Sequence, residues 1–331
     1  MGGTALAKFG FESRRISAKE YQDIIAELEQ TVRSKGLSGF APILSYSNKP
    51  DHGDVDCVLL QYGNTIVDYS EIIKGIFNPQ YISQNHNTVS FDYKGVQIDI
   101  SCFRNEEDLW LHTIFCDYSP FGNIYARLLK QFGLKWGLGG LEYPVKLSDS
   151  EQLGDIFISG DIHEILEFGG LNPIRKFREQ TDIFETVYSS PYFNKEIYLL
   201  ENLNHINRTR DRKRKDYHQW LEWIKDKESK FVRDPDKSVY IDKISDFFKI
   251  NVHQKINDKV ARHSWIKTIN SKCNGSLIQQ LTNLKGAELG AFLKKIKLDI
   301  AGENNEKWLW WVSKTPQQDI NTLILERFNN L

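Results

Sequence analysis

Two spacings of hydrophobic residues occur in the first half of the chain, and they predict a mixture of helices and strands. Apolar positions at helical spacing follow Ser17 and stop at Gly36, with Ser17 placed as an N-cap and Glu20 placed to complete a capping box. Further helices are predicted at 69–76 and 120–133. Short apolar runs predict strands at 40–44, 54–61, 88–93 and 96–103, the last two forming a hairpin.

Helical spacing dominates the second half of the chain. From about residue 149 onward, few strand signals occur. The predicted helices cover 161–168, 181–188, 220–231, 241–248, 260–269, 276–284, 288–296 and 320–328. We therefore expect an α+β fold, in which a short mixed sheet with helices in residues 1–148 precedes an all-helical domain in residues 149–331.

Composition is that of an ordinary globular protein. The 331 residues are 40% hydrophobic and 26% charged, with a net charge of −1, so overall charge favours no particular partner. No apolar run approaches the roughly 20 residues of a membrane span, and the N-terminus lacks the pattern of a signal peptide. Four scattered cysteines show no zinc-binding spacing. These features predict a cytoplasmic protein in a reducing compartment, without a membrane partner, and they indicate no oligomeric state.

Three aspartates stand out at the predicted strands. Asp54 and Asp56 are two apart at the start of an apolar strand, so their side chains point to one face. Asp99 lies at the same phase of its own strand, between Gln97 and Ser101. If the strands are neighbours, the carboxylates converge, and such a cluster is costly unless a cation neutralises it. Carboxylate-rich oxygen sites suit Mg²⁺, and two ions could stabilise both oxygens of a phosphoryl displacement. Mn²⁺ is the alternative ion.

The sequence around these acids resembles the nucleotidyltransferase superfamily, and it is most similar to the palm of family X DNA polymerases. Residues 45–56 look like the signature loop that ends in Gly-Asp-x-Asp, here 53–56. Residues 119–136 resemble the nucleotide-binding helix of that family, and 156–170 resemble the segment that follows it. The likeness covers roughly residues 40–172 and implies a Mg²⁺-dependent nucleotidyltransferase.

The resemblance implies roles for individual residues. Asp54, Asp56 and Asp99 would ligate metal, and Asp99 would also help deprotonate an attacking 3′-hydroxyl. The triphosphate of an NTP (ATP included) or dNTP would be held by Lys49 with either Ser45 or Ser47. The remaining nucleotide-binding positions implied are Gly53, Tyr118, Ser119 and Asn123.

Departures from the family pattern bear on the expected reaction. Leu44 stands where the family has the glycine of a Gly-Ser turn, and Tyr118 replaces another glycine before the nucleotide helix. The helical domain that precedes the palm in the polymerases is not expected, because only about forty residues come before the signature. We therefore expect nucleotidyl transfer without a template.

A dense basic block lies at 208–215. Its cations are Arg208, Arg210, Arg212, Lys213, Arg214 and Lys215. Phosphate groups of RNA or DNA would explain such a block better than a solvated surface, since these cations repel one another. A nuclear-localisation signal is the weaker alternative. Trp220 and Trp223, which follow at helical spacing, are more typical of a core than of base stacking.

Three functions are compatible with the sequence. The favoured one is transfer of a nucleotidyl group from an NTP or dNTP to the 3′ end of a nucleic acid, with release of pyrophosphate. The second is transfer to a small molecule or protein, as in antibiotic-modifying or toxin-type enzymes. The third is a nucleic-acid-binding protein with a degenerate palm, which the three retained aspartates argue against.

Overall fold

The computed structural model describes residues 4–37, 39–61, 68–148, 151–172 and 176–330. The chain forms two compact units. The first comprises Met1–Pro144 and Asp155–Val252, and the second comprises Val145–Gly154 and His253–Leu331. The predicted domain boundary at 148/149 adjoins residues 149–150, which lie outside the described ranges, and the assignment of separate catalytic and nucleic-acid-binding domains stays a prediction.

The strands form sheets of two, three and five strands. They are β1 (Ile16–Ser17), β2 (Gly39–Pro42), β3 (Asp51–His52), β4 (Asp54–Leu60), β5 (Ile82–Asn85), β6 (Thr88–Tyr93), β7 (Val96–Phe103), β8 (Lys135–Gly137), β9 (Gly140–Lys146) and β10 (Gln152–Ser159). The large sheet has the order β2-β4-β7-β6-β5, the three-stranded sheet the order β10-β9-β8, and β1 pairs with β3.

Helices make up most of the rest of the described chain. They are α1 (Ala18–Ser34), α2 (Tyr69–Phe77), α3 (Glu106–Cys116), α4 (Phe121–Lys130), α5 (Ile162–Phe168), α6 (Gln180–Ser189), α7 (His205–Asp211), α8 (Lys215–Trp223), α9 (Ile241–Phe248), α10 (Val252–Lys272), α11 (Gly275–Thr282), α12 (Gly286–Ala301), α13 (Asn305–Lys314) and α14 (Gln317–Asn329). The predicted α+β class is confirmed: a mixed five-stranded sheet with helices comes first, and a helical region completes the chain.

Strand β7 lies at the centre of the large sheet, parallel to β4 and antiparallel to β6. The pairing of the two predicted acid-bearing strands is therefore confirmed. On one face, Val96, Ile98 and Ile100 are fully buried with side chains from β4, β6, α1 and α2. Full burial of each large aliphatic side chain contributes about 1.5–3 kcal/mol, so this face holds the sheet in one register.

Helix α1 begins as the sequence predicted, although its cap differs in one detail. The hydroxyl of Ser17 accepts a hydrogen bond from the Glu20 backbone nitrogen at 3.2 Å. The Glu20 side chain, which was expected to complete a capping box, instead forms an ion pair with Arg14. One half of the predicted capping box is therefore present, and the other half is replaced by a contact with a residue before the helix.

Helices α3 and α4 approach each other closely at Gly122. A Cβ atom at this position would lie 2.2 Å from the carbonyl oxygen of Phe115. Glycine is therefore required here, because any side chain would collide with the backbone of α3. The close approach places the first turn of α4 beside the last turn of α3.

The second unit has its own hydrophobic core. Its fully buried members include Ile278, Val312, Ile320 and Ile324, which lie on α11, α13 and α14. Trp308 is 2% exposed and stacks on Trp311 with ring centroids 5.5 Å apart. The apolar positions at helical spacing in this region are therefore the buried faces of packed helices.

Several elements differ from the sequence predictions. The helix predicted at 220–231 is wrong beyond Trp223, because α8 ends there and the chain continues without regular structure. Helix α3 was not predicted, and Leu111 is its one buried hydrophobic residue among those described, so it lacks an apolar stripe. Strands β8, β9 and β10 were not predicted either. Among the described residues, no helix is long and apolar enough to cross a membrane.

The contact at Gly122 predicts a specific loss of stability. Replacing Gly122 with alanine should lower the free energy of unfolding by about 1–3 kcal/mol, because α4 must shift away from α3. Gly75→Ala is the matched control in helix α2, where an added Cβ meets no atom within 4 Å. That change should instead stabilise the protein by about 0.5–1 kcal/mol. Urea denaturation measures both values, and equal effects of the two substitutions would contradict the packing argument.

Candidate active site

Three carboxylates converge where β4 and β7 run side by side. The parallel register sets Asp56 opposite Asp99, and Asp54 lies two residues before Asp56 on the same face. One oxygen from each of the three lies within 4.8 Å of the others. The convergence predicted from strand phase is therefore present, and its cause is the register that the apolar face of the sheet imposes.

The charges in this cluster oppose one another. Although Asp56 is open to solvent on one side, the surrounding protein removes much of its hydration, and this raises its pKa well above the ordinary range. The neighbouring carboxylates Asp54 and Asp99 raise the pKa of Asp56 further, while Lys49 lowers it. A cation bound among the oxygens would relieve this repulsion.

Asp99 is held in place by two neighbours on the sheet. The Gln97 amide nitrogen donates to both oxygens of Asp99, at 2.9 and 3.0 Å. Burial raises the pKa of Asp99, whereas hydrogen bonds from Ser90 and Gln97 oppose the rise. Gln97 is itself buried and accepts a bond from the Leu6 backbone nitrogen at 3.3 Å. These bonds orient the carboxylate, and strand alternation, which puts Gln97 on the same face as Asp99, was the signal in the sequence for this role.

A cavity of about 210 Å³ opens in front of the carboxylates, and all of its lining residues belong to the first unit. Besides the three acids, four of the residues that the sequence predicted to bind nucleotide line it: Ser45, Lys49, Ser119 and Asn123. Ser45 and Asn123, which are 78 residues apart in sequence, thus meet at one site. The arrangement puts hydroxyl, amide and ammonium groups around the acidic cluster.

The other predicted nucleotide-binding residues do not line this cavity in the described structure. Both the nitrogen and the hydroxyl of Ser47 approach the carbonyl oxygen of Phe177, at 3.1 and 3.3 Å. The Gly53 carbonyl accepts a bond from Ser13, and the Tyr118 ring packs edge-to-face on Phe177 with centroids 5.1 Å apart. Of the two alternative serines, Ser45 therefore has the position beside the acids, while Ser47 anchors the loop.

The turn at Leu44 is supported by an acid that the sequence did not single out. The Leu44 nitrogen donates to Asp117 at 2.7 Å, and the Leu44 carbonyl accepts from the Tyr118 nitrogen at 2.8 Å. Burial raises the pKa of Asp117 to about 6, although the bond from Leu44 opposes the rise. These bonds tie the start of the signature loop to the chain between α3 and α4.

His52 also lines the cavity, although no pattern in the sequence pointed to a functional role for it. Its ring stacks on Tyr21 with centroids 3.8 Å apart. Burial and the nearby Lys49 lower the pKa of His52 to about 4, so the ring is neutral at physiological pH. A neutral, stacked imidazole here supports the wall of the cavity without adding charge.

The basic block is divided between structural and exposed cations. Asp211 is 1% exposed and forms ion pairs with Arg127 and Arg210. Arg208 donates to the carbonyl of Leu203 at 2.7 Å, which closes the start of α7. Burial lowers the pKa of Arg214, and the charge of Arg210 lowers it further. Arg208 and Arg210 thus have partners within the fold, and Arg214 is half-buried.

Arg212, Lys213 and Lys215 are exposed, as is Arg210, whose side chain is 43% exposed beside Asp211. They belong to the same compact unit as the carboxylates. The pKa of Asp51 is lowered by its bond with Arg15 and also by Lys215, so Lys215 lies close to the signature loop. The block therefore extends toward the segment that carries Lys49 and the aspartates.

The donor set fits a hard divalent cation. Carboxylate oxygens without sulfur or imidazole ligands suit Mg²⁺ or Mn²⁺ rather than zinc. The destabilised charges of Asp56 and Asp99 are those that a cation would neutralise. Asp54, Asp56 and Asp99 could hold the ion, and the cavity leaves room for waters or phosphate oxygens to complete its coordination.

No family model matches the chain, and no curated protein matches it. Among solved structures, it is similar to Leishmania infantum polymerase beta in a ternary P/T complex, at 12% identity and a TM-score of 0.37, covering 50% of this chain and 76% of that one. A ternary gap complex of the same polymerase matches at 12% identity and a TM-score of 0.33, covering 53% and 67%. Both matched structures are of polymerase beta, the type of polymerase that the sequence motifs resemble.

Repulsion among the acids predicts how stability depends on metal and pH. Without metal, Asp56→Asn should raise the free energy of unfolding by about 1–2 kcal/mol after allowance for solvent screening. Because the folded-state pKa of Asp56 is raised, the carboxylate destabilises the fold increasingly as pH rises above the ordinary carboxyl pKa. The gain from the substitution should therefore grow from about pH 4 to about pH 8 and stay level above that.

Thermal denaturation with EDTA and with Mg²⁺ measures this behaviour. Saturating Mg²⁺ should stabilise the wild type, by about 2.7 kcal/mol at a hundredfold excess over Kd, and should stabilise Asp56→Asn less. Asp23→Asn, on the exposed surface of α1, is the control and should keep the full response to Mg²⁺. An equal response in all three proteins would exclude Asp56 as a ligand.

Proposed function

We propose that this protein is a Mg²⁺-dependent nucleotidyltransferase that moves a nucleotidyl group from an NTP or dNTP to the 3′-hydroxyl of a nucleic acid without a template. One observation carries the proposal. Asp54, Asp56 and Asp99 converge within 4.8 Å in a cavity whose wall also presents Lys49 and Asn123. Clustered carboxylates beside a cation and amide groups suit a polyphosphate substrate bound with metal.

Positioning and charge neutralisation supply most of the catalysis in phosphoryl transfer. Bound Mg²⁺, two ions in this proposal, would supply Lewis-acid stabilisation of the reacting oxygens. Lys49 and Ser45 would bind phosphate oxygens. Ser119, just before α4, and Asn123, in the first turn of α4, would orient the nucleotide. Asp99, oriented by Gln97, would accept the proton of the attacking hydroxyl, which then attacks the α-phosphorus and displaces pyrophosphate.

The basic block supports a nucleic acid as the acceptor. Arg212, Lys213 and Lys215 are exposed, and Lys215 lies near Asp51 at the start of β3. A strand bound along these cations would reach the side of the molecule that carries the signature loop. A small-molecule acceptor would not require such a surface, and this favours RNA or DNA over that alternative.

Removing a single carboxylate from the acidic cluster should abolish most of the activity. Asp56→Asn and Asp99→Asn should each lower the rate of oligonucleotide extension by about a thousandfold or more, because each removes a charge that the transition state requires. The measurement is extension of labelled single-stranded RNA, tRNA and DNA with Mg²⁺ and each common NTP and dNTP. Asp23→Asn should extend at the wild-type rate, and undiminished activity in both active-site variants would refute the assignment.

Removing exposed cations from the basic block should weaken the binding of nucleic acid. Replacing Arg212, Lys213 and Lys215 together with glutamine should weaken oligonucleotide binding and reduce the slope of log K against log salt by about 2, since each phosphate contact on a single strand contributes about 0.7. The matched control replaces Lys19, Arg33 and Lys74, which are exposed on α1 and α2, and should leave the slope unchanged. Fluorescence anisotropy over a salt series measures both, and equal slopes would remove the block from the binding surface.

A further inference from the structure

A second cavity, of about 80 Å³, lies at the C-terminal end of α4. Four cations line it: Arg127 and Lys130 from α4, and Arg233 and Lys237 from the segment before α9. No carboxylate of the described residues lines it. A concave surface with this charge has the electrostatic character of an anion site.

The cation at the base of this cavity is built into the fold. Arg127 is 9% exposed, forms an ion pair with Asp211 and lies over the Tyr217 ring. Arg210 contacts Asp211 as well, at 3.0 Å, so one carboxylate faces two guanidinium groups and a positive charge remains. The ion pair with Asp211 holds Arg127 in place within the fold, while Lys130 and Arg233 bring exposed charge to the same cavity.

Amide groups complete the wall. Gln131 is 2% exposed, and its side-chain nitrogen donates to the Tyr192 carbonyl at 2.8 Å. Asn204 and Asn207 reach the cavity from the start of α7. The Gln131 nitrogen is already bonded, and its buried oxygen is an acceptor, so the neutral amides that can donate here are those of Asn204 and Asn207. Together with the cations they supply the donors that the oxygens of an oxyanion accept.

This cavity is separate from the one that holds the aspartates. The two cavities share no lining residue, although α4 contributes residues to both. Asn123 reaches the first cavity and Lys130 the second, and seven residues of helix separate them by roughly 10 Å along the axis. Neither the signature loop nor the carboxylates contribute to the second cavity.

We propose that this second cavity binds a phosphate group. Its volume of about 80 Å³ is less than half the 210 Å³ of the cavity beside the aspartates, so it accommodates a single compact group rather than a nucleotide. Arg127, Lys130, Arg233 and Lys237 supply the charge and the bonds that a phosphate dianion or diester accepts. The phosphate has two sources, a nucleic-acid strand or free phosphate, and the first of these rests on the proposed function.

Isothermal titration of the full-length protein with inorganic phosphate, at low salt and without divalent metal, tests the site. The wild type should bind one phosphate, and Lys130→Gln with Arg233→Gln should weaken binding by about tenfold or more, as two charged bonds are lost. Lys130 and Arg233 are both exposed, so the variant should keep the wild-type melting temperature. Lys19→Gln with Arg33→Gln is the matched control for charge and should bind like the wild type.

Two further arms separate the outcomes. Asp99→Asn should lose nucleotidyl transfer and keep phosphate binding, so failure of the proposed function and failure of this site are distinguishable. If a nucleic-acid strand supplies the phosphate, inorganic phosphate should compete with a 5′-phosphorylated oligonucleotide and the double variant should bind that oligonucleotide more weakly. If free phosphate is the ligand, oligonucleotide binding should be unchanged while phosphate binding is lost. Absence of phosphate binding, or equal binding to wild type and double variant, would overturn the proposal.

Discussion

The parallel register of β4 and β7 is the constraint on which the site depends. It sets Asp56 opposite Asp99 and places carboxylates together that repel one another. The favourable term that opposes this repulsion lies on the other face of the sheet, where Ile98 and Ile100 are fully buried against helices. A slip of one residue would turn these apolar side chains toward the carboxylate face, at a cost larger than the repulsion. Burial on one face therefore holds a strained charge cluster on the other.

The remaining walls of the site are attached to this sheet by a few specific contacts. Gly122 lets α4 pack directly on the backbone of α3, and this brings Asn123 to the cavity. Asp117 ties the turn at Leu44 to the same connection, so a non-glycine residue is accommodated where the resembled family has glycine. The loop is therefore ordered although Leu44 departs from the family pattern, and Ser45 and Lys49 line the same cavity as the acids.

Some basic residues of this chain form ion pairs within the fold and others are exposed to solvent. Their order in the sequence does not distinguish the two groups. Within one block, Arg210 forms an ion pair with the buried Asp211, whereas the exposed Arg212 and Lys213 do not take part in that network. Arg127 contributes to that network from a distance of 84 residues in sequence, and it also lines the second cavity. A charge pattern therefore predicts where cations are dense, but partner residues far away in sequence determine which of them can meet a ligand.

Elements whose signal is local could be predicted from the order of the residues alone. Alternation along β4 and β7 predicted that Asp54, Asp56 and Asp99 share a face, and helical spacing with Ser17 as cap predicted α1. Contacts between distant segments set the position of Asp117 beneath Leu44 and put Ser45, rather than Ser47, in the lining of the cavity. They also decided the end of α8 at Trp223 and the formation of α3, which has almost no apolar stripe. Local spacing encodes which way a side chain points from its own backbone, whereas packing between remote segments sets what that side chain meets.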